Sequence, residues 1–562
     1  MNSFHFSIPL ISAEMKNVLL WFGLHDLRLH DHYALKLACR KAQRTGGCVY
    51  PFFCFDLRKF AAASDLCEFF MAHPRRAIFV KECIEDLRSS LNDLNQQLWV
   101  RTGYVENILP DLAEKLNCSD IFAHELHSPE DIAIRLKVEN KIRERDRAVN
   151  LRLAWGSTLI HIDELDAPVS DFPIEFSRYQ DFFHRKKVRR TDGFNCRTPG
   201  GFPPQNPTGG DIPPAGTIPS LEDLGYRQQA DVTYDARGVL DFTGGETAGC
   251  QRVRTFFDRK IIENYSPGFA ERERARLYKQ RSSHLSPWIS HGCVSPRRVY
   301  ELVLKYSHEQ RGTKDWECKS FIMMLVRRDY WYFLSKRFGA RLRAPEGPTP
   351  SACAIEPPRA GWRLDPPLIA RWCAGVTGVP FVDAAMRELT LTGFSSAQCR
   401  RALLWFLVRG LQQDWRVAAE WFQRTLIDYD PHTCWGNCAY YSGLMFDIGT
   451  RMPLHTAEHH HLQFDGSGVF TRLWLPELHN VPTYFLHRPH AMTKHMQEIH
   501  NARLGVDYPV PMKLWFDVEK DVSFVSKLPN YITAENSKLI GEGTAFGLGV
   551  VTEREKTLHL SR

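Results

Sequence analysis

The sequence predicts two architectures in one chain: an N-terminal doubly wound, Rossmann-like α/β domain with a parallel sheet, then a C-terminal all-α domain. Three observations carry this expectation. Between Val18 and about Asp166, five apolar runs alternate with amphipathic helical patterns, and buried strands joined by crossover helices make a parallel sheet. The thirty residues from Thr191 to Ser220 hold seven prolines and six glycines, a composition that reads as a linker. From Gly244 onward the apolar spacing is helical. At 562 residues the chain exceeds a single core. The expected division is an extension over 1–16, the α/β domain over 17–168, a linker over 169–240, the helical domain over 241–518 and a short tail over 519–562.

The strands are VLLWF from Val18, CVYPFFCF from Cys48, LWVRT from Leu98, DIFAH from Asp120 and LRLAW from Leu151. Ligands of such sheets sit beyond the carboxyl ends of the strands. That points to the turn GLHDLRLHDH, which follows the first strand. Glu125 and Glu130, in AHELHSPEDI, open the helix after the fourth strand and read as solvated acids at a helix start. The run RKKVRR, Arg185 to Arg190, suits a nuclear address or a phosphate patch, although a solvated charge run is the commoner outcome.

Composition narrows the function classes. A net charge of +7 is compatible with a nucleic-acid partner without requiring one. Fifteen cysteines in no framework spacing suggest free thiols in a reducing compartment: cytoplasm, nucleus or an organelle. No apolar run approaches the length of a membrane span, so a soluble monomer with no membrane partner is expected. The first sixteen residues lack a basic n-region, which argues against secretion. They also lack arginine and carry Glu14, and they read as a disordered or family-specific extension, with an organellar leader left open.

In the helical half, Leu403, Leu404, Phe406, Leu407 and Leu411 recur at helical spacing, as do Ala418, Trp421, Phe422 and Leu426. Arg400 precedes the first of these helices, and Asp428 and Asp430 follow the second. Charges of both signs at helix ends suit a polar ligand. Ser282, Ser283 and Ser286 stand at the start of another helix. Hydroxyls with free backbone N–H groups fit a diphosphate there, and they fit ordinary N-capping equally. Cys434 and Cys438, with His432 and the triplet His459 to His461, raise the idea of a metal site, but their spacing is not a standard ligand pattern. Free core thiols and a solvated histidine loop are expected, and a Cys434/Cys438 disulfide is the redox alternative.

Several long motifs now stand in one order: SSHLSPWISHGCVSPR from Ser282, TGVPFVDAAMREL from Thr377, DWR from Asp414, LIDYD from Leu426, WGN from Trp435 and FDGSGVFTRLWLPELHNVP from Phe464. Together they resemble the photolyase/cryptochrome family, nearest its DASH-type branch, from Val18 to about Pro511. The resemblance implies a helical FAD-binding domain, a blue-light flavoprotein, and DNA as partner, single- or double-stranded, with RNA also considered. It implies that Ser282, Ser283 and Ser286 with Tyr265 hold the FAD diphosphate, and that Phe321 lies near the adenine. Arg400 and Asp428 would flank the flavin ring, with Asp430 as the second acid; Arg328, Asp329 and Tyr330 also match. Trp362, Trp415 and position 438 would form the electron path. In the family the α/β half holds a light-harvesting antenna, methenyltetrahydrofolate or a deazaflavin, against the turn where this chain has Gly23 and Leu24 in place of an arginine.

The same resemblance marks departures. Cys438 stands for the tryptophan nearest the flavin, with Trp435, Tyr440 or Tyr441 as substitutes to consider. Cys434 replaces the residue facing flavin N5, Ala397 an asparagine, and Phe269 stands near the place of an arginine. Met324 and Arg327 occupy the positions of the glutamate and tryptophan that receive a pyrimidine dimer. Dimer repair is therefore expected to be weak or lost. The alternative is a non-enzymatic photoreceptor, or a nucleic-acid-binding descendant with little or no flavin.

Overall fold

The computed structural model describes residues 16–145, 149–191, 202, 212–226, 232–265, 282–310, 314–348, 361–445 and 464–512. The expected extension, save Lys16, and the expected tail lie outside these. All five strands form where the apolar runs place them: β1 Asn17–Phe22, β2 Val49–Asp56, β3 Trp99–Gly103, β4 Cys118–His124 and β5 Asn150–Ala154. They pair in parallel in the order β3-β2-β1-β4-β5. Helices α1 Tyr33–Thr45, α2 Pro74–Asn92, α3 Val105–Lys115 and α4 Pro129–Arg143 make the crossovers. Alternate residues of a strand point to opposite faces. Leu19, Tyr50, Phe52 and Trp99 accordingly pack with α3 and α4, while Val18, Leu20, Phe22, Phe53 and Phe55 enter a core that runs on into the helical half.

The linker gives the sheet its edge. Val100 of β3 donates to Ala215 O at 2.7 Å, the Trp99 indole to Pro213 O at 3.0 Å and Arg101 to Pro214 O at 2.6 Å. Those groups would otherwise present an open strand edge. In the run Arg185 to Arg190, Val188 is buried, Lys186 pairs with Asp166 and Arg189 with Glu164. Part of that charge is thus held by local acids.

The helical half comprises α5 Phe176–Arg185, α6 Glu246–Asp258, α7 Ser286–Ser290, α8 Pro296–Glu309, α9 Asp315–Phe338, α10 Pro366–Cys373, α11 Pro380–Thr392, α12 Ala397–Trp405, α13 Trp415–Thr425 and α14 Pro431–Tyr441. Three short helices follow, α15 Val469–Trp474, α16 Thr483–Leu486 and α17 Lys494–Ile499. A five-residue π-helical stretch, Phe406–Gly410, extends α12. Helix α9 is buried almost all round from Asp329 to Ser335, the mark of a central helix. α14 lies so close to it that a Cβ on Gly436 would fall 2.4 Å from the Trp331 ring.

Buried polar contacts join the halves. Glu420 of α13 accepts from Ser64 Oγ at 2.7 Å and from the N–H groups of Leu66 and Cys67, both at 2.9 Å. Asp329 of α9 accepts from Leu159 N at 2.6 Å and Ile160 N at 3.3 Å, and Glu246 of α6 from Leu29 N at 2.6 Å. Glu125 pairs with Lys336 and Glu130 with Arg343. This corrects the expectation of solvated acids: each finds a cation on the helical half, a partner no local pattern reveals. Among the described residues no helix is long and apolar enough to cross a membrane.

Two stability effects follow from these contacts. Glu420→Ala strands three donors and is expected to cost about 3 kcal/mol in urea unfolding. Burial pushes the Asp329 carboxyl up to about 7, whereas an unfolded aspartate titrates near ~4. The folded state holds the extra proton across that window, so this group's contribution falls as pH rises from about 4 to about 7. Asp329→Asn keeps an acceptor for both N–H groups and should flatten that slope in urea midpoints measured against pH.

Candidate functional site

The serine turn comes first. Ser283 Oγ accepts from Leu285 N at 3.3 Å and Ser282 Oγ from His284 N at 3.5 Å, while Ser286 opens α7 with its side chain exposed. Beneath the turn lies Arg252 of α6, whose Nε donates to Ser283 O at 2.8 Å. Sequence reading missed Arg252; its only signal was its place in the run after Gly244. Tyr265 and Phe321 meet edge-on at 5.1 Å, and both rings touch Phe256 of α6. One helix thus holds the cation and the apolar wall together. Position 269 lies outside the described residues.

At the other end, Arg400 Nη2 donates to both carboxylate oxygens of Asp428 at 2.9 Å, and Nε to Ser395 O at 2.9 Å. The Asp428 side chain is 3% exposed and that of Arg400 25%, so the pair is closed on the acid's side and open on the guanidinium's. Phe394 connects the two ends: the Arg400 guanidinium lies 5.6 Å from its ring, and His284 of the serine turn meets it edge-on at 5.8 Å. Asp430 has a different task. It caps α14, accepting from His432 N and Thr433 N at 2.9 Å, and takes the Tyr332 hydroxyl at 2.6 Å. Arg328 reaches the same group, donating to Tyr332 Oη at 2.7 Å and to Ser157 O. Burial pushes the Asp430 carboxyl up, but the His432 and Arg328 charges and its hydrogen bonds pull it below the ordinary carboxylate range.

The tryptophans line up from the surface. Trp362, partly exposed, and Trp415, fully buried, donate to the same carbonyl, Pro345 O, at 2.8 and 3.1 Å. Trp415 then meets Trp435 of α14 at 5.8 Å. Trp435 donates to Tyr429 Oη at 3.1 Å under the Arg343 guanidinium, which lies 4.4 Å above its ring. Of the three substitutes considered for position 438, Trp435 is therefore in contact with Trp415.

Serine hydroxyls backed by a cation, aromatic rings beside them and an ion pair open on one flank are groups a dinucleotide can use. Residues 18–191 match the family model for DNA photolyase, and residues 321–522 that for the FAD binding domain of DNA photolyase. Cryptochrome DASH of Synechocystis sp. is 32% identical over 88% of this chain and 94% of its own length. That of Gloeobacter violaceus is 34% identical over 88% and 93%. The chain belongs to the photolyase/cryptochrome family, among its DASH members. It is a blue-light flavoprotein of that family, with FAD as cofactor. The crystal structure of the Synechocystis sp. PCC6803 cryptochrome superposes with a TM-score of 0.77 at 31% identity, over 89% of this chain and 97% of that one. A class III photolyase of Agrobacterium tumefaciens, 22% identical with a TM-score of 0.68, shares the fold.

Within this family fold the departures acquire surroundings. Cys438 is buried and Cys434 half-buried on α14, with Cys434 Sγ 4.0 Å from Ala419 O; their mutual contact, with burial, pushes the Cys438 thiol up. Ala397 opens α12. The Arg327 guanidinium sits 4.3 Å from the Phe176 ring and 5.8 Å from that of Tyr440, and Met324 beside it is 39% exposed. Beyond the carboxyl ends of β1, β2 and β4 lies a cavity lined by Trp21, Gly23, Leu24, Phe53, His124 and Asp131. The turn singled out from sequence forms its wall.

Among the described residues, two clusters have ligand atoms close enough for a metal, Asp26/His32/His124 and His30/Glu246/Cys250. His32 Nδ1 accepts from Leu35 N at 3.0 Å, His124 Nε2 from Ala34 N at 3.4 Å and His30 Nε2 from Ser295 N at 3.1 Å. A metal-bound imidazole donates its second N–H, and here that nitrogen already faces a donor. The Nδ1 atoms of His124 and His30 are instead engaged by Asp26 at 2.9 Å and Glu246 at 2.7 Å. Burial, with His124 nearby, pushes His32 down to about 4. The triplet His459 to His461 lies outside the described residues. Arg400→Ala leaves the Asp428 carboxylate buried without its cation, and is expected to lower stability by about 2 kcal/mol, read by chemical denaturation.

Proposed function

We propose that this protein couples blue-light excitation of FAD to electron transfer for signalling, keeps an affinity for nucleic acid, and repairs cyclobutane pyrimidine dimers weakly or not at all. One observation carries the reading: at the position implied to stack a dimer, Arg327 is a cation held over Phe176 and beside Tyr440. A dimer turned out of the duplex needs an aromatic platform and a polar partner for its base edge. Arg327 provides no aromatic platform, and the thioether of Met324 no carboxylate to accept from a base edge. Phosphate contacts tolerate such changes better than base contacts do.

Bound FAD supplies absorption of blue light and exchange of single electrons; the chain does the rest. Ser282, Ser283 and Ser286, backed by Arg252, hold the diphosphate, and Tyr265 with Phe321 encloses the adenine side. Arg400 holds the Asp428 carboxylate beside the ring through two hydrogen bonds. Asp430 and Arg328 set the start of α14, and through it the positions of Cys434 and Cys438. Electrons enter from Trp362 to Trp415, and Trp435 takes the place of the link that Cys438 breaks. The cavity beyond the sheet suits a planar antenna such as a deazaflavin or methenyltetrahydrofolate.

The test is an absorption spectrum of dark-purified protein before and after blue light, with released flavin identified, followed by incubation with dimer-containing oligonucleotides. Bound FAD that bleaches slowly, more slowly still in Trp435→Phe, with salt-sensitive DNA binding and little restored DNA, is the expected result. Arg252→Ala should weaken FAD binding roughly ten-fold or more. Efficient repair would sink the signalling reading. Folded protein that takes up no FAD would leave only a nucleic-acid-binding role.

A further inference from the structure

We infer that Cys83 and Cys293 form a redox-responsive staple between the two halves of the molecule, a pair of thiols that an oxidant such as hydrogen peroxide converts into a disulfide. Cys83 lies on α2 beside the sheet, and Cys293 on the turn between α7 and α8. Both are fully buried, they stand 210 residues apart in sequence, and their sulfurs are 3.4 Å apart.

The frame around them brings the sulfurs together. α2 offers three side chains in succession to the start of α6: Glu82 accepts from Gly244 N at 2.6 Å, Cys83 Sγ from Gly245 N at 3.2 Å and Asp86 from Thr247 N at 3.1 Å. A Cβ on Gly244 would fall 2.2 Å from Phe79 O, so only glycine permits this approach. On the other side, Arg28 donates to Gly292 O at 2.9 Å, and Leu27 N to His291 O at 3.1 Å. Ser295 N donates to His30 Nε2 at 3.1 Å just after Cys293, so the backbone is anchored on both of its flanks, and rotation of the two side chains has to close about 1.4 Å to reach a disulfide bond length. The Cys434/Cys438 pair differs. Residues four apart on a helix have Cβ atoms about 5–6 Å apart, beyond the ~3.5–4.5 Å a disulfide spans.

The chemistry balances in two steps. One thiol is oxidised by peroxide to a sulfenic acid with release of water, and the second thiol displaces hydroxide from it, forming the S–S bond and a second water. Burial pushes the Cys83 thiol well up, so its thiolate is scarce and it reacts slowly. Once formed, the bond closes a long loop and withdraws conformational freedom from the unfolded chain. It ties α2 to the turn after α7, the helix that Ser286 opens. None of this depends on flavin.

The test treats the full-length protein under native conditions with graded hydrogen peroxide, blocks remaining thiols in denaturant and maps unreduced peptides by mass spectrometry. A Cys83–Cys293 linked peptide that grows with peroxide and disappears with dithiothreitol is expected. It should be accompanied by a thermal midpoint higher by several degrees, and both changes should be absent from Cys83→Ser and Cys293→Ala. Recovery of Cys83 and Cys293 as blocked thiols, at doses that oxidise other cysteines, overturns the inference. A linked peptide with an unchanged midpoint overturns the staple.

Discussion

Three buried carboxylates of the helical half, Glu246, Asp329 and Glu420, take hydrogen bonds from backbone N–H groups of the sheet half. Much else depends on this exchange. The N–H groups of Leu29, Leu66, Cys67, Leu159 and Ile160 lie in connections outside the strands, and buried without acceptors they would each cost energy. The same bonds fix α6, α9 and α13 against the sheet. Those helices carry Arg252, Phe321, Arg328 and Trp415, so the seam that satisfies the loops also sets the spacing of the candidate site.

The site itself divides its labour. Arg400 and Asp428 form a pair with one open flank, the arrangement expected of charges that meet a ligand. Asp430 and Arg328, which look like members of the same motif, are consumed by capping α14 and by Tyr332 and Ser157. Both are tied into the start of α14. The tryptophans show a similar substitution of means. Trp415 meets Trp435 on the same helix as Cys438, but Trp435 lies under Arg343. A guanidinium there raises the energy of an oxidised indole, and Glu130, paired with Arg343, offsets part of that.

On the sheet side, acids that open α4 are turned inward against Lys336 and Arg343, and the linker lies along β3. The turn Gly23 to Asp26 walls the cavity beyond the sheet while Gly23 N donates to Asp26 at 2.7 Å, and Asp26 in turn gathers His32 and His124. One buried aspartate thereby ties β1, α1 and β4 together at the point where the strand order reverses.

Much of this was legible in the chain alone. Five apolar runs with helices between them determined the parallel sheet, because a strand buried on both faces has to be apolar along most of its length, as β2 is from Val49 to Phe55. Long motifs in one order determined the family and its cofactor. What the sequence did not contain was the pairing of distant groups. Glu130 with Arg343, Glu420 with the loop at 64–67, and Trp415 with Trp435 rather than position 438 each depend on how separate elements dock. Arg252 was invisible for the same reason. Local patterns register period and caps, which are properties of neighbours in sequence. The direction in which a buried charge or ring finds its partner is decided only when the elements pack, since desolvation then penalises every polar group left without one.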